Sequence, residues 1–173
     1  MEKTSAKVFL LIFIISSLVW LTASTRRTYD GGNLLNFGTT EFKNNIDPAT
    51  ERTTYNDIAE FSIVAFFSYP VVLISAIGYL RTTHRTFKEH GWLLMSAILL
   101  FVFIPVEVIC FVRDWKVIEL NYWGTWPLEE FRKAWISRIT ALAGLPLIAT
   151  LCYFTIIVLA IWQPMKKKSD TAL

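Results

Sequence analysis

The sequence predicts an all-α membrane protein: a four-transmembrane-helix bundle with two outer loops and a short interfacial helix before the fourth span. Three observations carry this. Hydrophobic residues make up 54% of the 173 and charged residues 18%, against about 25% charged in a typical globular domain. The apolar residues are gathered into four runs, 8–23, 61–80, 92–112 and 139–162. Each is near the roughly 20 residues a helix needs to cross a hydrocarbon core of about 30 Å. Lipid offers the backbone no hydrogen-bond partner, so such a run must close its bonds within its own helix. Finally, seven tryptophans cluster where those runs end, at the depth that amphipathic rings prefer.

The first span is expected at about 8–24, after Lys3 and Lys7. The same basic start, with Thr22-Ala23-Ser24 closing the apolar stretch, also fits a cleaved signal peptide. The stretch is slightly long for that, which favours a retained span. Residues 25–57 are polar, with Gly31-Gly32, Gly38 and Pro48, and read as an outer cap rather than a domain. Asp57-Ile58-Ala59-Glu60 has the pattern of a capping box, which puts the second span at 58–80. The loop 81–91 follows, then a third span at 92–112. Pro70, Pro105 and Pro146 lie within runs and predict kinks.

The second outer loop, 113–135, holds Thr125-Trp126-Pro127 followed by Glu129 and Glu130. A proline in the first turn with acids beside it marks a helix start. Leu128, Phe131, Trp135 and Ile139 recur at helical spacing, which suggests an interfacial helix leading into a fourth span at 136–162. Ser137 with Ala141, Thr140 with Gly144, and Ser75 with Gly78 are small residues at the spacing that lets membrane helices approach closely. Trp20, Trp115, Trp123, Trp126 and Trp135 would form the outer aromatic belt. Tyr79, Trp92 and Trp162 would form the inner one.

Orientation follows the basic residues. One side collects Lys3, Lys7, Arg81, Arg85, Lys88, Lys166, Lys167 and Lys168, packed into short stretches beside the helices. The other side spreads the same number over longer loops. The expectation is an integral protein of a bacterial plasma (inner) membrane with both termini cytoplasmic. The absence of any Asn-x-Ser/Thr acceptor gives no reason to expect a glycosylated surface.

The net charge of +3 does not indicate nucleic-acid binding, because the cations stand at span ends instead of along one face. Cys110 and Cys152 fall inside apolar runs and read as buried thiols. His84 and His90 fall in or beside the 81–91 loop, not facing each other in the bundle as haem ligands would. No Cys/His cluster has metal spacing, and neither a catalytic triad nor a phosphate loop is present. No cofactor is therefore expected, and no motif asks for catalysis.

Glu107 is the residue to examine first. A charge inside a span is costly and marks an ion or substrate path by default, and Pro105 stands two residues before it. The plainer reading is a structural pair with Arg138 at the same depth. Arg26, Arg27, Glu60 and Arg113 also sit at outer helix ends, with Tyr29 and Tyr69 able to add hydroxyls, so a closed bundle would gather them into an outer pocket.

Two functions compete. The first is an accessory or assembly component of the membrane, with the lipid bilayer around it and a second copy or another membrane protein as partner. The alternative is a small transporter, membrane enzyme or ligand-binding protein using the charged pocket around Glu107 and Arg138. A quinone- or lipid-binding module would differ from both by requiring an apolar slot that opens sideways.

Overall fold

A computed structural model describes residues 3–123 and 127–165. It contains six helices among those residues: α1 (Thr4–Asn33), α2 (Pro48–Thr82), α3 (Gly91–Val102), α4 (Ile104–Trp123), α5 (Leu128–Thr140) and α6 (Leu145–Trp162). Helices α1, α2, α6 and the nearly continuous α3–α4 rod are each long and apolar enough to cross a membrane. The chain is an all-α, four-span membrane bundle. Thr125, Trp126 and Lys166–Lys168, named above for a helix start, an aromatic belt and orientation, lie outside the described residues.

Three helices outrun their apolar stretches. The helix start expected from the capping-box pattern at Asp57–Glu60 is wrong, because α2 begins ten residues earlier. Asp47 caps it, its carboxylate accepting from the Thr50 N–H at 3.3 Å, and Pro48 stands in the first turn, where a missing N–H costs nothing. The stretch 47–57 is polar but contains no helix breaker after Pro48, so propagation continues once the nucleus forms. Likewise α1 runs through Ser24 to Asn33. At 1.5 Å per residue the 35 residues of α2 reach about 52 Å, well beyond the hydrocarbon core. The excess of α1, α2 and α4 projects at one end, here the loop end. With α5 it builds a small core of its own from Leu34, Tyr55, Ile58, Val117, Phe131 and Trp135. The α1–α2 connection shrinks to 34–47 and folds back on itself through a Leu35–Phe42 bridge.

The fourth span also differs from expectation. It starts at Leu145, not 136, because Ala143 and Gly144 adopt left-handed φ of 43° and 86° and separate α5 from α6. Pro146 therefore sits in the first turn of α6 and kinks nothing. Gly144 lies outside any helix, so it cannot pair with Thr140 on a continuous face. The third span does break at Phe103, two residues before Pro105, while α2 continues through Pro70.

Packing is by pairs. Helix α1 lies along α2, and α3 lies against α6, with α4 touching both pairs. The first pair approaches closely at Gly78: a Cβ there would stand 2.5 Å from the Phe9 ring. The middle of the bundle is an aromatic centre. Trp20 sits 4.8 Å from Tyr69 and 4.7 Å from Tyr153 between ring centroids. Trp20 and Trp135 are thus core residues rather than interface anchors, whereas Trp115 and Trp123 are exposed and stack on one another.

Candidate functional site

The loop-end half of the bundle holds a buried charge network. Asp114, on α4, is its centre: Arg27 of α1 donates from Nη1 to Oδ2 at 2.5 Å, and Arg138 of α5 donates from Nε to Oδ1 at 2.7 Å. All three side chains are at least 93% buried. Each carboxylate oxygen serves one guanidinium, the charge-assisted arrangement that makes an ion pair tolerable out of water. Two turns along α4 toward the membrane interior, Glu107 accepts from the Tyr153 hydroxyl of α6 at 3.2 Å. With both arginines and both acids charged, the group sums to zero.

Local sequence explains the convergence. Glu107 and Asp114 are seven residues apart, so they share one face of α4. Arg138 follows Trp135 by three residues and lies over its ring, 5.3 Å from the centroid. That ring rests where a Gly31 Cβ would be; any side chain at Gly31 would overlap it. Gly31 is one turn beyond Arg27 on α1. The missing side chain lets α5 settle against α1, and this closeness brings Arg138 and Arg27 to the same carboxylate.

The expected pocket residues divide. Glu107, Arg138, Arg27 and Tyr69 converge at buried positions. Glu60 is exposed and accepts from Asn56, Arg113 is exposed and donates to Ser137, and Arg26 pairs along its own helix with Asp30 at 3.0 Å. Tyr29 is exposed beneath the Arg26 guanidinium. The pairing expected between Glu107 and Arg138 is not made, since Asp114 takes the arginine and Tyr153 serves Glu107. Asp114 was missed because it follows the apolar run and reads as an ordinary helix-end charge. Its heptad spacing from Glu107 was the available signal.

A second charged cluster ties the cap together. Arg132 of α5 donates from Nε and Nη2 to the two oxygens of Glu51 at 2.7 and 2.6 Å, and Tyr55 donates to the same carboxylate at 2.7 Å. Donating to the Glu51 carboxylate holds the Arg132 pKa above its ordinary value. Arg132 also lies 5.2 Å over the Phe42 ring, joining the 34–47 connection to α5.

On the other side of the aromatic centre, between the α1–α2 pair and the α3–α6 pair, lies a cavity of about 580 Å³. Trp20 and Tyr153 separate it from the charges. Its walls are almost wholly aliphatic and aromatic, with Arg85 at the end near the chain's N terminus. Sequence reading gave no hint of it, because it depends on how far two helix pairs splay. No family model, curated protein or solved structure matches this chain.

Proposed function

We propose that this chain is a non-catalytic accessory or assembly component of a bacterial plasma membrane, with both termini cytoplasmic and another membrane protein or a second copy as its partner. The observation that supports this reading is the state of Asp114. Both of its oxygens are committed to arginines from two other helices, so the strongest polar group in the interior serves to hold helices together. A bundle clamped in this way suits a fixed structural part better than a path that must open and close. Native electrophoresis of membranes extracted in mild detergent tests the reading. An accessory component migrates in a complex larger than the lone chain, and migration as a lone chain would sink it.

A second reading is a small transporter, enzyme or ligand-binding protein using the outer charged pocket. It draws on one feature: Arg27, Glu107 and Arg138 converge, and the Arg27 Nε is buried without an acceptor. Glu107→Gln separates the two. Normal complex formation with a stable bundle favours the accessory role, and a normal bundle with lost transport or binding favours the pocket. Reporter fusions after Thr39, Thr86, Asn121 and Ser169 should read out, in, out, in.

A further inference from the structure

We infer that the cavity between the two helix pairs is a binding site for one acyl chain of an anionic phospholipid, with the phosphate held at Arg85. This goes beyond the accessory role and does not rest on it.

The cavity exists because small residues stand where large ones would close the bundle. Ser17 on α1, Ala76 on α2, and Ser96 and Ala97 on α3 all line it. Its volume of about 580 Å³ falls inside the roughly 300–1,000 Å³ of ordinary ligand pockets. Along α6 it extends from Tyr153 to Gln163, about 15 Å at helical rise, half of a hydrocarbon core of about 30 Å. It therefore spans the depth of one leaflet and stops at the Trp20–Tyr153 pair near the middle of the bundle.

The opening faces lipid. Leu10, Ile14 and Leu18 form one stripe of α1, and Ile157 with Ile161 one stripe of α6. All five line the cavity and all are exposed, Ile161 at 71%. These two helices are not a packed pair; they meet through the Trp20–Tyr153 contact at the closed end. At the tip, Ala6 and Phe9 pack with Tyr79 and Trp92, so entry is from the side, as a lipid tail would enter.

The polar end selects the headgroup. Arg85 lines the cavity, is half-buried, and lies 5.8 Å over the Trp92 ring. It has no carboxylate partner among the described residues, unlike Arg26, Arg27, Arg132 and Arg138. Lys3, Lys7, Arg81 and Lys88 are exposed at the same end. A chain of methylenes fills the walls, and a phosphate supplies the missing counter-charge.

The full chain, purified in mild detergent, is titrated with phosphatidylglycerol and phosphatidylcholine of matched chains, and bound lipid is counted by native mass spectrometry. One phosphatidylglycerol should be retained per chain, preferred over phosphatidylcholine by about fivefold, the worth of one surface-level cation. Arg85→Gln should abolish the preference, while Lys88→Gln at the same end keeps it. Ser17→Phe, which projects a ring into the cavity, should remove retention of both lipids. Equal retention of the two lipids by the wild type, or a preference unchanged in Arg85→Gln, overturns the assignment. So does full retention in Ser17→Phe. Should Ser17→Phe fail to fold, the comparison of Arg85→Gln with Lys88→Gln decides alone.

Discussion

Replacing Asp114 by asparagine keeps the shape of the side chain and removes its charge, leaving Arg27 and Arg138 facing each other without a counter-ion between them. Both guanidiniums are nearly fully buried, at 2% and 7% side-chain exposure, so water cannot take over. Two charge-assisted hydrogen bonds, each worth about 1.5–3 kcal/mol, are weakened at once, although the amide oxygen still accepts one. Breaking one side of a buried ion pair costs about 3–5 kcal/mol, and that is the expected loss. It is a fifth or more of the roughly 5–15 kcal/mol that holds a typical fold. The assay is an unfolding titration with sodium dodecyl sulfate, followed by far-ultraviolet circular dichroism on the detergent-solubilised chain. Glu107→Gln is the internal comparison: it still accepts from Tyr153 and should lose no more than about 1 kcal/mol. Replacing the whole triad by Arg27→Met, Asp114→Leu and Arg138→Met should return stability to within about 1 kcal/mol of the starting protein, or above it. An Asp114→Asn variant as stable as Glu107→Gln would refute the reasoning, because the triad would then have to be solvated.

Other perturbations test the parts that build this centre. Gly31→Ala places a methyl inside the Trp135 ring's position and should cost about 1–3 kcal/mol by overpacking. Because it also lifts Arg138 from Asp114, its effect should fail to add to that of Asp114→Asn in a double-mutant cycle; strict additivity would separate the glycine from the charge network. Glu51→Gln removes one charge from the Arg132 clamp. With Arg132 40% exposed, solvent screening limits the loss to about 1 kcal/mol. Limited proteolysis should nonetheless speed up within 34–47, where Phe42 rests under that arginine, and an unchanged cleavage rate would show that the connection is held by its own turn.

The number of spans was readable from the sequence because lipid enforces it. A run of some twenty apolar residues has one way to satisfy its backbone, and all four runs took it. Glu107 could be singled out on the same ground, since an intramembrane acid must meet something polar. The partner that depth suggested is not the one it meets. Arg138 was the nearest cation by depth, yet which cation reaches which acid depends on rotation and approach, and those were set by Gly31 under Trp135. The helix ends misled for a related reason. Asp57 and Glu60 have the right types for a cap, but the chain had already entered α2 at Asp47-Pro48, and side-chain type alone does not distinguish a first turn from a third.

The sequence by itself determined the number of spans, the apolar character of their lipid-facing surfaces and the presence of a charge that had to be neutralised inside. Each of these follows from transfer between water and hydrocarbon, which every residue experiences whatever its neighbours are. Only the tertiary structure decided that Asp114 bridges two arginines, that Trp20 is core, and that two helix pairs stand apart around an apolar cavity. Those features come from distances between segments far apart in the chain, where a single missing Cβ or a cluster of small side chains sets how closely two helices can lie.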